Sequence, residues 1–287
     1  MRIVRLKLIS VASAYLQNGS NVPMLFIAKP SHWKSVTSAI TKDCIENTVI
    51  NLENKTWKAI MMEAAPILNK KPACLFINDM TEITHSRSGK ENQEMRGGLT
   101  TLFSDLTYEY QNMVRMQRGI ASISTRAKGV SCITNMTFQT HIQMIRQFVN
   151  STFFDRFFRI RYDISDSEYM IWEKDREARL RYEYRGKKVT FKPFAVKTSD
   201  FITKELMHIR DNTLLYDDRV DRYVVKSDMS PHRYLVYLDA IVKCHAHLQG
   251  RVEVTSDDID YIRNDVLPLS VDALSAEAKA YAKHQDC

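Results

Sequence analysis

Met24-Leu25-Phe26-Ile27-Ala28-Lys29-Pro30-Ser31-His32-Trp33-Lys34-Ser35 is an apolar run that breaks into a polar loop ending in Lys-Ser. The apolar run suits a strand buried on both faces, and the loop suits a phosphate-binding turn that opens a helix. Such a loop has the pattern G-x-x-x-x-G-K followed by Ser or Thr. The eight positions Ala28, Lys29, Pro30, Ser31, His32, Trp33, Lys34 and Ser35 keep the final pair but put Ala28 and Trp33 where glycine is expected. Lysine serves this chemistry because its flexible ammonium reaches the β- and γ-phosphates, and the hydroxyl after it can ligate Mg2+. Trp33 brings a side chain to a place where backbone would approach phosphate, so the stretch also reads as an ordinary strand-to-helix turn with a surface lysine.

The rest of the chain supplies partners for that loop. Residues 73–77 are apolar throughout and run into Asn78-Asp79, with Glu82 just beyond. In an open α/β sheet, ligands sit outside the C-terminal strand ends, which would bring Asp79 to the loop, although a turn acid capping the next segment is the plainer reading. Further strand-like runs lie at 47–52, 129–135 and 157–162. Helical spacing is read at 6–15, at 57–68 despite Pro66, and at 91–113, where Gly97-Gly98 should weaken the start. Apolar strands alternating with helices predict an α/β fold with a parallel sheet.

From residue 166 the texture changes. Residues 166–215 read as a charged insert, and 180–194 read as a β-hairpin around Arg185, Gly186, Lys187 and Lys188. Basic residues there alternate with Tyr182, Tyr184 and Phe191, as a nucleic-acid track with stacking bases would need; aromatics packed on the body account for the pattern equally well. Residues 216–287 read as a helical lid. Ser230-Pro231 starts a helix, Gly250 ends it, and Thr255 with Asp258 three residues later forms a near capping box. The sheet core then occupies 1–165.

A formal net charge of +7 favours an anionic partner, most simply nucleic acid. A hydrophobic content of 44% with 26% charged residues describes a globular chain, with nothing that suggests disorder. No apolar run reaches the roughly 20 residues of a membrane span, so no membrane partner is expected. Arg5 and Lys7 interrupt the first segment, which argues against a signal peptide. The five scattered cysteines read as buried thiols of a reducing, cytoplasmic setting, not as disulfides or zinc ligands.

Taken in order, these stations resemble an AAA+ P-loop ATPase module, and the tail resembles the lid of minichromosome-maintenance replicative helicases. The tail likeness rests on Ser230-Pro231-His232-Arg233, an alanine-containing helix, Gly250-Arg251-Val252-Glu253-Val254-Thr255 and Asp257-Asp258-Ile259. The resemblance implies ATP and Mg2+ as cofactors, with Ala28 to Ser35 cradling phosphate. It puts Ser35 at the metal, and in one register Asn78 joins it with Asp79 in the catalytic-base position, whereas a one-residue shift puts Asp79 on the metal and leaves Met80 where an acid is expected. Asn135 falls on the sensor that positions water, Arg156 on the arginine that reaches a neighbour's nucleotide, and Arg233 on the second sensor. It further implies a homo-oligomeric ring, such as a hexamer, acting on DNA in replication or remodelling of a mobile or viral genome. With no DNA-binding domain ahead of the module, the grip on DNA is expected in 86–96, 115–128 or the hairpin at Arg185, Lys187 and Lys188. The altered loop keeps a competing reading open, in which the module binds nucleotide or partners for assembly or regulation without turnover.

Overall fold

The structure, a computed structural model, describes residues 2–30, 32–47, 49–52, 57–80, 89–110, 123–141, 153–163, 188–214, 216–217, 222–223 and 229–271. Five strands form the central sheet: β1 (Met24–Ala28), β2 (Val49–Asn51), β3 (Ala73–Ile77), β6 (Val130–Thr137) and β7 (Phe158–Arg161). Every pairing among them is parallel, and their order is β2-β3-β6-β1-β7. All five C-terminal strand ends therefore lie along one edge. The register sets Ala28 beside Thr137 and Ile77 beside Thr134, so the segments after β1, β3 and β6 emerge together.

Each strand of the centre buries both faces, which is why these stretches read as unbroken apolar runs. Met24, Phe26 and Ala28 face a core shared with α1 (Arg2–Ser13), α5 (Asp200–Leu214), α6 (Pro231–Leu248) and α7 (Ser256–Tyr261). Leu25 and Ile27 face a second core with α3 (Trp57–Leu68) and α4 (Gly89–Asp105). The helices of the tail thus share one continuous core with the sheet and α1. Helix α2 (Lys34–Asp43) follows the loop after β1 and contacts α1.

Two local departures from the sequence reading have clear causes. Helix α4 runs through Gly97-Gly98 and stops early, because Leu106 adopts φ +54° and turns the chain into β4 (Thr107–Tyr110). Strand β4 pairs antiparallel with β5 (Ile123–Arg126), where the spacing over 91–113 predicts more helix. Residues 188–194 do not pair back on themselves; Val189 bridges Ile45 and Phe194 bridges Leu16, both parallel. The turn of the expected hairpin, with Arg185 and Lys187, lies outside the described residues.

The tail forms as its sequence dictates. Ser230 caps α6 by accepting from the Arg233 amide, and Pro231 occupies the first turn, where its missing N–H costs nothing. At the other end Gly250 takes φ +75°, and the Arg251 amide reaches back to Ala246 O at 2.9 Å in a Schellman closure. Four of the five cysteines, Cys44, Cys74, Cys132 and Cys244, are free and buried. Among the described residues no helix is long and apolar enough to cross a membrane.

Candidate functional site

The C-terminal edge of the sheet gathers the loop residues. Ala28 ends β1 buried, Lys29 and Pro30 are exposed, and His32, Trp33 and Lys34 are partly covered. Ser31 lies outside the described residues. Trp33 holds φ 59° and ψ 20°, the left-handed conformation that glycine adopts at no steric cost and other residues adopt with strain. The loop therefore keeps a glycine-type backbone turn although it carries the largest side chain there. Trp33 is also the N-cap of α2, with no side-chain cap bond to the helix's first turn. A helix start without a side-chain cap is suited to an anion, which its N–H groups and dipole favour.

Lys34 opens α2. Its Nζ donates to Lys29 O at 2.7 Å and Ala28 O at 3.3 Å, so the ammonium folds over the loop it belongs to. Partial burial lowers its pKa from the ordinary lysine value, and the Asp79 carboxylate nearby pushes in the opposite direction. Lys34, after β1, and Asp79, after β3, thus lie at the same edge of the sheet. Asn78 and Asp79, both half-buried, follow β3 directly, and Ser35 is exposed on the second residue of α2. At the mouth of the loop, Asp163, just past β7, pairs with Lys29 at 2.8 Å and with His32 Nδ1 at 2.9 Å.

The group that organises this edge from beneath is Lys7, on α1. Its side chain is 0% exposed. Nζ donates to Ser38 Oγ at 2.7 Å, Thr37 Oγ1 at 2.9 Å, Lys34 O at 3.0 Å and Asn135 Oδ1 at 3.2 Å, and it lies 4.7 Å from the centre of the Phe26 ring. Burial, then the Lys34 and Lys42 charges, pull its pKa well below the ordinary lysine value. Four oxygen acceptors around one amine favour the opposite, protonated form, which has three donors to give. In the sequence Lys7 stands only as a break in an apolar segment. The signal available was helical spacing, since Lys7 shares a stripe with Ile3, Val11 and Ala14.

Asn135, the expected water-positioning sensor, is 1% exposed and fully engaged within the protein. Its Oδ1 accepts from Lys7, and its Nδ2 donates to Ser38 Oγ and Asn78 O, each at 3.1 Å. In this arrangement Asn135 ties the loop helix to the segment carrying Asp79.

Arg156 and Arg233 lie at the other edge of the sheet. Arg156 ends a single 3-10 turn (Phe154–Arg156) before β7, whose first amide bonds Pro23 O ahead of β1. Arg233 pairs with Asp155, whose Oδ1 also takes the Ser230 amide at 2.9 Å. Tyr237 donates to Arg156 O at 2.9 Å. Both arginines line one cavity of about 540 Å3, together with Asn21, Ser104, His232 and Tyr237. The five residues of β1 separate this cavity from the loop, a span of about 17 Å at ~3.3 Å per residue. Lys34 and Asp79 therefore cluster on one edge, and Arg156 and Arg233 on the opposite one.

The basic stretch divides. Lys188 is exposed, but Phe191, read as a stacking aromatic, is 3% exposed and packs against Tyr15, with ring centres 6.1 Å apart. Asn47 fixes the Phe191 backbone through bonds of 2.6 and 2.8 Å. Phe191 is thus a core residue and cannot stack on bases.

The tail signature is structural as well. Asp258, 0% exposed, accepts from Arg251 NH2 and NH1 at 2.7 and 2.8 Å and from the Thr255 amide at 2.8 Å, and pairs with His245 Nδ1 at 2.7 Å. His245 stacks flat on Tyr261, with ring centres 3.9 Å apart. Burial alone raises the Asp258 pKa, but bonds from His245, Thr255 and Arg251, with the Arg251 charge, outweigh it and hold the carboxyl below its usual value.

The residues present fit a magnesium-bound nucleotide. The strained turn at Trp33, the α2 start and Lys34 suit phosphate, and Ser35, Asn78 and Asp79 offer the oxygen ligands a hard cation prefers. Among the described residues no three or more His, Cys, Asp or Glu side chains gather as a metal site. The ion would depend on the nucleotide's own phosphates, as Mg2+ commonly does.

A scan against protein-family models finds no match, and a search of curated protein sequences finds none. Among solved structures, the chain is similar to "a putative ATPase from Cytophaga hutchinsonii", with a TM-score of 0.53 and 13% identity. The likeness covers 99% of this chain and 86% of that one. The chain thus has an α/β fold built on a five-stranded parallel sheet, the fold it shares with that structure.

Proposed function

We propose that the chain is an AAA+ type ATPase module that binds ATP with Mg2+ at the loop Ala28–Ser35 and completes its active site between subunits. The observation that carries this reading is the shared C-terminal edge of the sheet, where β1 leads into the loop bearing Lys34, β3 leads into Asp79, and Asn135 bonds both Ser38 of α2 and Asn78 O. Lys34 would neutralise phosphate charge, with Ser35, Asn78 and Asp79 holding the metal. Asp79, the carboxylate that follows β3, would alternatively accept a proton from attacking water. The bound metal ion would supply further neutralisation of the phosphate oxygens. Lys34 must leave Lys29 O and Ala28 O to do its part.

Arg156 and Arg233 lie too far from their own loop to touch its nucleotide. A cation that stabilises the transferring phosphoryl group would then come from the adjoining copy, in a head-to-tail contact that repeats into a ring. The net charge of +7 and exposed Lys188 suit an anionic polymer, and we extend the proposal to DNA as the substrate. The helicase-like reading, with a role in genome replication, rests on the tail signature, and Arg185 and Lys187 belong to it.

A second reading, nucleotide held as a clamp without turnover, is favoured by Trp33 in a glycine position and by Asn78 beside Asp79 where a second acid would stand. Turnover separates the two. ATP hydrolysis per subunit is expected to rise with protein concentration and reach a plateau, because each site needs two chains. Hydrolysis that is flat with concentration would contradict the shared site. Binding with no hydrolysis at any concentration would favour the clamp.

A further inference from the structure

Lys7 is a costly group to bury, and nothing in the AAA+ reading calls for it. A buried ammonium loses its hydration, and replacing such a group with an apolar side chain of similar size is often neutral or stabilising. Its position has a consistent geometry. Thr37 Oγ1 donates to Trp33 O and Lys34 O, at 2.9 and 3.0 Å, so it is left to accept from Lys7. Ser38 Oγ donates to Lys34 O at 3.1 Å and likewise accepts. Lys7 thus holds the first turn of α2 through three oxygens and reaches Asn135 with the fourth contact. Asn135 passes the connection to Asn78 O, one residue before Asp79. One amine on α1 therefore joins the lysine-bearing helix to the acid-bearing segment.

We infer that Lys7 is a positioning residue of the nucleotide site: it sets Lys34 and Asp79 relative to one another from behind the sheet edge, without touching the ligand. The inference rests on the nucleotide reading above. It also gives α1 a task, because α1 contacts both α2 and α6, the helix whose start bears Arg233. Movement of α6 against α1 would thereby reach the loop.

The test is Lys7→Met, with Lys7→Gln as a second variant that restores part of the donor set should the first fail to fold. Three quantities are compared with wild type: the melting temperature without nucleotide, the rise in melting temperature with Mg·ATP, and amide exchange in α2. The expected result is an unchanged or higher melting temperature without nucleotide, at least a tenfold weaker Mg·ATP response, and faster exchange at Thr37 and Ser38 with α6 unaffected. Lys7→Gln should recover part of the nucleotide response. A Lys7→Met protein that keeps the full response, or whose α2 exchange is unchanged, overturns the inference. So does one in which all of α1, α2 and α6 loosen together, which is the mark of a merely structural lysine. Absence of any Mg·ATP response in wild type would instead overturn the nucleotide reading, and exchange in α2 would still decide whether Lys7 fixes that helix.

Discussion

Asp258→Ala is expected to lower folding stability by about 3 kcal/mol, the range for breaking a buried ion pair by removing one partner. The carboxylate satisfies Arg251, His245 and the Thr255 amide at once, and its side chain is wholly buried. Removing it strands the Arg251 guanidinium and the His245 imidazole and removes the half of the capping box that Asp258 supplies to the start of α7. Arg251 can recover some hydration at the surface, which keeps the loss near the lower end of that range. Urea unfolding measures it directly, and a loss under about 1 kcal/mol would show that the network is not coupled. The pH dependence has a definite sign. A carboxyl whose folded pKa lies below the unfolded value of 3.8 contributes stability above that value and loses it as pH falls through the folded pKa. The gap between wild type and Asp258→Asn should therefore narrow in acid below about pH 4.

The second large effect concerns turnover. Arg156→Ala should lower kcat by about a thousandfold, the lower range for removing an arginine that faces the transferring phosphoryl group. Lys34→Ala should be inactive for a different reason, the loss of phosphate binding. Because the two residues sit on opposite edges of each subunit, mixing the two inactive proteins regenerates contacts that carry both. With random 1:1 assembly, about one quarter of the head-to-tail contacts pair an intact Lys34 with an intact Arg156. Activity near that fraction of wild type is the expected result, measured as phosphate release after mixing. A mixture as inactive as its components would contradict a site shared between chains. The same experiment with Arg233→Ala assigns the second arginine of the cavity.

Much of the architecture was legible because each central strand is buried on both faces and has to be written as an apolar run. Residues 24–28 and 73–77 announce themselves in this way, and the tail announces itself through backbone chemistry: Ser230 and Pro231 at a helix start, Gly250 in a left-handed turn. The β4–β5 ribbon was not legible, because it depends on Leu106 adopting a positive φ, which no local preference encodes. Phe191 shows the limit of composition. Basic and aromatic residues alternate there, but the aromatic packs against Tyr15 inside the core. Lys7 was missed for a related reason, since a lysine in an apolar helix reads as surface until its partners on α2 and β6 are known. The loop itself was legible from Lys34 and Ser35, whereas the glycine-type turn at Trp33 contradicts what its side chain predicts.

The most direct measurement is the melting temperature with and without Mg·ATP, on wild type and Lys34→Ala. Ligand at 100-fold over its Kd stabilises by about 2.7 kcal/mol, a shift of roughly 4–5 °C for a chain of this size. The account predicts that shift in wild type and none in Lys34→Ala. No shift in either protein at millimolar nucleotide would contradict it and leave a P-loop fold without its nucleotide.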